Sequence, residues 1–313
     1  MPQETHPPSQ RLAARACALP PRPEGRGFSR FLVIHSAFYR FTRLDDPVAT
    51  AEVLRARSRD TGVLGSLVVA TEGLSGVVAG PAAAVAAFEA ALTGDPVFGG
   101  AFTGLHFKRS LCITAPFARM KVHVKPEIVA LGLDGVSGLD ETAEQRAATH
   151  LSPAAWRELL TDEDVVVLDN RNRFEWRLGH FRGAVDPGVD NFRDFAELVR
   201  TQAPHWKACG QRVAMYCTGG IRCEKTGVWM REELGLEVFQ LDGGILNYLE
   251  QTARTGQPDD TWRGECFVFD NRIALDAQLH ETATTAEQVY DPAQPDEAWR
   301  LARARRLDTA TGA

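Results

Sequence analysis

Residues 213–227 read VAMYCTGGIRCEKTG, and the order of residue types in this stretch decides the fold. Val213 to Tyr216 form an apolar run of the kind buried in a parallel sheet, and it ends at Cys217. Six residues lead from Cys217 through Thr218, Gly219, Gly220 and Ile221 to Arg222, and a helical pattern follows directly. In open α/β sheets ligands gather at the carboxyl ends of strands, where this cysteine falls. Gly219 and Gly220 allow positive φ, so successive N–H groups can turn inward as an anion-binding nest. The positive end of the following helix and the Arg222 guanidinium act in the same direction. Together they lower a thiol pKa from its free value of about 8.5 and enlarge the thiolate fraction. A buried strand-end cysteine before an ordinary turn would explain Cys217 alone, but not the whole strand–Cys–Gly-Gly–Arg–helix order.

Outward from this loop the same alternation continues. Ser152 and Pro153 open a helix at SPAAWRELL (152–160), and VVVLDNR (165–171) is a second buried strand. Helical patterns near NFRDFAELVR (191–200), EKTGVWMREEL (224–234) and ILNYLEQT (245–252) alternate with strands at 212–217 and 237–241. Residues 151–257 therefore form an α/β domain with a parallel sheet. Upstream, 29–130 reads β-α-β-β-α-β, a ferredoxin-like (acylphosphatase-like) α+β domain. Its strands are FLVIHSAF (31–38), a hairpin of LGSLVVATEG and LSGVVAG (64–80), and two edge candidates, LHFKRSLCI (105–113) and MKVHVK (120–125). Its helices are DDPVATAEVLRARSRD (45–60) and PAAAVAAFEAAL, with Pro81 at its start. Residues 1–28, Pro-rich and dotted with arginine, read as a disordered lead-in; 131–150 lose periodicity and read as a linker; 258–313 read as an irregular, peripheral extension.

Composition narrows the class. The 313 residues are 44% apolar with net charge -6, which argues against a protein coated in positive charge. Six cysteines without CxxC spacing are no disulfide scaffold, and no apolar run is long enough to span a membrane. A reducing cytoplasm is the expected setting. No His-x-Asp or His-x-Glu pair marks a non-haem iron site, no Gly-x-Gly-x-x-Gly marks a flavin or nicotinamide, and no metal site is expected. Cys223 can resolve a persulfide or sulfenate on Cys217, or simply pack at the helix start.

CTGGIR, with VVVLDNRNRFEW and GHFRGAVDP (179–187) before it and LDGGILNY (241–248) after it, resembles a rhodanese domain. The resemblance makes Cys217 the residue that accepts sulfane sulfur as a persulfide. It gives Asp169 and Arg171, the family's Asp-x-Arg, a supporting role, with Asp169 bonding loop amides. Cysteine phosphatases of related fold have five residues between Cys and Arg; the four here make a tighter cradle.

Adding TEGLSGVVAG (71–80), DPVF (95–98), PFARMKVHVKPEIVALG (116–132), CTGGIRCEK (217–225) and ECFVFDNRIALD (265–276), the chain is similar over residues 30–275 to the two-domain, rhodanese-like tRNA uridine 5-hydroxylase family (TrhO). That resemblance implies oxygen-dependent hydroxylation of the wobble uridine of tRNA, with molecular oxygen and an unidentified reductant. Cys217 would act either by adding to C6 of the base or as a persulfide that supplies reducing equivalents. Two departures stand out: Ser75 replaces the Asn of Glu-Gly-x-Asn-Gly in what reads as a turn, and Cys266 lacks the further cysteines of a C-terminal knuckle. A tRNA partner has separate support, because no acidic residue lies between Asp95 and Glu127 while Lys108, Arg109, Arg119, Lys121 and Lys125 do. Lysines that blunt a sheet edge would give the same window. The alternatives are a sulfurtransferase carrying sulfane sulfur on Cys217 and a non-catalytic rhodanese-fold module, the latter disfavoured by the intact cysteine loop.

Overall fold

A computed structural model describes residues 33–256 and 259–311, apart from the side chains of 140 and 306–311. The lead-in expected at 1–28 lies outside the described residues. The first domain runs β1 (Val33–Phe41), α1 (Pro47–Thr61), β2 (Leu64–Ala70), β3 (Gly73–Gly80), α2 (Ala82–Gly94), β4 (Lys108–Cys112) and β5 (Met120–Val124). Its sheet order is β4-β1-β3-β2-β5. The first four strands make the antiparallel ferredoxin-like arrangement, and β5 adds to the far edge parallel to β2. The two edge candidates thus become the two outer strands. Asp46 starts α1 by accepting from the Ala49 amide at 2.8 Å, with Pro47 in the first turn. Pro81 stands at the start of α2, as its N-cap. Both helices cover one face of the sheet over Phe38, Leu54, Leu67, Val78 and Phe88.

The second domain contains α3 (Ala143–Thr149), β6 (His150–Leu151), α4 (Pro153–Leu159), β7 (Val165–Asp169), α5 (Arg173–Leu178), β8 (Gly179–Phe181), α6 (Phe195–Ala208), β9 (Arg212–Tyr216), α7 (Ile221–Glu232), β10 (Val238–Leu241) and α8 (Gly244–Thr255). The sheet order is β6-β10-β9-β7 with every pairing parallel. Apolar clusters cover both faces, as the continuous hydrophobicity of β7 and β9 requires.

Two expectations need correction. The stretch 131–150 is not a bare linker: Thr142 and Gln145 form a capping box that nucleates α3, and His150–Leu151 pair with β10. Nor is the C-terminal region irregular. It carries β11 (Trp262–Gly264) on β8, a hairpin of β12 (Cys266–Phe267) and β13 (Ala274–Leu275), α9 (Ala286–Val289) and α10 (Pro295–Thr311). Phe267, Tyr290 and Leu301 pack on Phe174, burying apolar surface that anchors the extension. The extension also grips the first domain, where Glu281 accepts from the Ile113 and Thr114 amides.

Candidate active site

The loop after β9 is shaped by where its carbonyl groups go. Cys217 O accepts from the Ile245 amide at 3.0 Å, and Thr218 O from the Leu246 amide at 3.1 Å, both in the first turn of α8. Gly219 O accepts from Lys108 Nζ at 2.5 Å, and Gly220 O from the Glu224 amide at 3.0 Å within α7. With four successive carbonyls satisfied elsewhere, backbone amides are free to meet the sulfur: the Gly220 amide donates to Cys217 Sγ at 3.1 Å, and the Arg222 and Cys223 amides also act on it. Gly220 adopts φ 101°, and a Cβ on Gly244 would lie 2.4 Å from Cys217 O, so both positions require glycine.

Burial opposes ionisation of Cys217, which has no exposed surface. The Cys223 thiol, the Arg222 charge and the Cys223 and Arg222 amides outweigh burial and hold the Cys217 thiol well below its usual value. Cys223 is driven the other way, well above the ordinary range, by burial and then by the neighbouring Cys217 sulfur. Both are free cysteines. One sulfur is therefore favoured as the anion, the other as its neutral donor.

Arg222 does not bond the sulfur. Its guanidinium forks onto buried Glu175 at 2.8 and 2.9 Å, and Thr218 Oγ1 also reaches Glu175. Burial pushes the Glu175 carboxyl up, but Arg222, with help from Arg171 and the Asn172 amide, outweighs it and holds the carboxyl below its usual range. Asp169 departs from expectation: its carboxylate is taken by Arg171, at 2.8 and 2.7 Å, and does not serve the loop amides. Arg171 Nη2 continues to Gly179 O at 2.6 Å, tying the Asp-x-Arg to the start of β8. Glu175, which no sequence motif singled out, is the carboxylate that supports the loop.

The helix-free face of the first domain closes over the loop. Lys108 Nζ adds a bond to Gly243 O at 2.8 Å, and Tyr39 Oη donates to Glu224 at 2.9 Å. Lys225, fully buried on α7, is clamped by Glu72 at 2.9 and 3.0 Å and by Glu127 at 2.5 Å. A cleft of about 400 Å³ remains between the domains, with Cys217, Thr218 and Arg222 at the loop and Ser75, Asn172 and Phe269 among its other walls.

Residues 33–128 match the UPF0176 acylphosphatase-like domain and residues 152–251 the rhodanese-like domain. A tRNA uridine(34) hydroxylase of Jannaschia sp. is 42% identical over 250 residues, covering 80% of this chain and 78% of that protein. Proteins of the same name from Synechococcus elongatus (44% over 244 residues, 77% and 85% covered) and Deinococcus radiodurans (41% over 246 residues, 79% and 77%) are also similar. The chain belongs to the tRNA uridine(34) hydroxylase family.

Within this family frame, Ser75 is not in a turn. It sits inside β3 and faces the cleft. Cys266 is buried, its thiol pushed up to about 12 by burial, and packs in the core of the rhodanese domain. Among the described residues no group of three or more His, Cys, Asp or Glu is arranged to hold a metal ion. The five cations singled out for RNA separate. Lys108 belongs to the cysteine loop, and Arg109 bonds Glu89 through Nε at 3.0 Å. Arg119, Lys121 and Lys125 stay together along β5 and its ends, joined by His123 and by Arg303 of α10, whose charges depress Lys121 and His123 after burial does.

Proposed function

We propose that this protein hydroxylates C5 of uridine 34 in tRNA, with Cys217 as its catalytic nucleophile. The observation that carries the reading is a thiol favoured as the thiolate at the base of a nucleotide-sized cleft, in a member of this family. Thiolate addition to C6 moves the C5=C6 electron pair toward O4 and makes C5 nucleophilic. Dioxygen then supplies the oxygen atom; the second oxygen leaves as water with two electrons and two protons from an external two-electron donor. Loss of the C5 proton expels the thiolate and restores the ring. Glu175 keeps Arg222 fixed beside the loop, and Lys108 holds the loop from the opposite side.

The anionic tRNA backbone is received by Arg119, Lys121 and Lys125 together with Arg303. Arg300, three residues before Arg303 on α10, also lines the cleft, so one helix face leads from basic strand to cysteine. Among the described residues no helix is long and apolar enough to cross a membrane, and a cytoplasmic setting suits a tRNA substrate.

The test is nucleoside mass spectrometry of tRNA from a strain lacking the gene, complemented with wild type or Cys217→Ser. Restoration of 5-hydroxyuridine derivatives by wild type alone supports the reading. Unchanged nucleosides alongside lost sulfane-sulfur transfer would point to a sulfurtransferase instead.

A further inference from the structure

The cleft has one wall that the protein leaves bare. Phe269 is 61% exposed, although Phe267 meets it edge-on at 4.9 Å and Phe174 at 6.5 Å. Beneath its ring the Arg222 guanidinium lies 5.9 Å from the centroid and is itself fixed by Glu175. This is an aromatic plate held from behind, with its free surface on the space that Cys217 lines. A large ring left open at a cleft marks a place where something planar and apolar-faced is received.

Asn172 stands in the same cleft, 5% exposed; its side chain faces the Glu175 amide in the capping box that opens α5, without a hydrogen bond of full geometry to Oδ1. A side-chain amide left short of partners in a binding cleft is available to a ligand's own donor and acceptor. Arg300 repeats the pattern: Nη2 is anchored on Asn191 Oδ1 at 2.8 Å and Asp190 O at 3.0 Å, while the buried Nε is unpartnered among the described residues.

We propose that Phe269 is the stacking platform for the target base and that Asn172 hydrogen-bonds its polar edge, with Arg300 beside the flanking phosphate. The proposal rests on the tRNA reading and specifies how the base is held. Uracil suits this arrangement: its faces stack, while N3–H and O4 offer a donor and an acceptor to one amide. N3 lies opposite C6 across the ring, so a base gripped at N3 leaves the C5–C6 edge free for attack. Bases of single-stranded loops are bound in this way, by stacking on aromatic rings and bonding along their edges.

The test uses full-length protein and two readouts. In the first, uridine 5′-monophosphate at millimolar concentration protects Cys217 from iodoacetamide, with ribose 5-phosphate as the base-free control. Protection by the nucleotide alone in wild type and Phe269→Trp, and its loss in Phe269→Ala and Asn172→Ala, is the expected result. In the second, Phe269→Ala raises KM for tRNA roughly tenfold or more, the scale of removing one ring from a base stack, while Phe269→Trp stays near wild type. Equal unprotected alkylation rates in all variants show that the loop is intact. Equal protection by ribose 5-phosphate, or an unchanged KM in Phe269→Ala, overturns the proposal while leaving tRNA hydroxylation standing. Base-dependent protection in a protein that does not hydroxylate tRNA would remove the functional reading and keep the base site.

Discussion

β4 and β5 come from one acid-free window of sequence, yet their cations meet opposite ends. The sheet order β4-β1-β3-β2-β5 sends these consecutive strands to opposite edges. On β4, alternation turns Lys108 toward the cysteine loop and Arg109 toward Glu89 of α2, so both charges are absorbed within the protein. On β5, Lys121 and His123 share a face with Arg119 and Lys125 at its ends, and their neighbours are further cations. A run of positive charge in a sequence is therefore not yet a surface. Strand order and the two-residue period decide which members face an anion and which hold the enzyme together.

The sharpest way to stress this contrast is at Glu127, the acid that ends the window. With Glu72 it clamps buried Lys225, so Lys225→Met strands two carboxylates between the domains. We expect a loss of about 3–5 kcal/mol, read as a lower denaturant midpoint. A change below about 1 kcal/mol would show that the interdomain clamp is not structural.

Lys108→Met comes next. It removes two charge-assisted bonds to loop carbonyls and should cost about 2 kcal/mol. The more telling readout is the pH dependence of Cys217 alkylation. The folded thiol titrates well below its usual value, so the wild-type rate, which follows the thiolate, rises with pH and levels off below the free-thiol value of about 8.5. Without the Lys108 charge the level is reached at higher pH. An unmoved profile would mean that Lys108 secures the loop without touching its electrostatics.

At the other edge, Arg119→Glu with Lys121→Glu should leave stability within about 0.5 kcal/mol, the usual range for surface substitutions that break no buried pair. Binding of tRNA should weaken, and the slope of log affinity against log salt should flatten by about one for each phosphate that is no longer neutralised. Unchanged binding would take β5 out of the interface.

Much of this was legible in the chain itself. The apolar strands flanking the loop and Gly220 led to the parallel sheet and to Cys217, because the positive φ at 220 admits few residue types, whereas Gly219 is under no such demand. Thr142 and Gln145 also spelled out a capping box, but Gly and Asp around it obscured a helix of only seven residues. Glu175 gave no signal, since a carboxylate on an amphipathic turn is usually solvated; only the fold brings it to Arg222. Asp169 was picked out by motif and given the wrong partner, because its neighbour Arg171 satisfies it before the loop can. Lys108 was unreadable for a further reason: its role depends on which edge β4 occupies, a property of the whole sheet.

Arg109 offers the smallest effect and the cleanest check on the separation of the two edges. Its side chain is 58% exposed, while its partner Glu89 is buried and also accepts from Ser36 Oγ at 2.7 Å. Arg109→Gln keeps a polar group in reach and leaves Glu89 its hydroxyl donor, so the expected loss is about 1 kcal/mol or less, the range of exposed ion pairs. Binding of tRNA and its salt slope should not change, since this cation is already neutralised by its own protein. If the slope did fall as it does for Lys121→Glu, Arg109 would have to leave Glu89 for a phosphate, and the two edges would form one continuous RNA surface.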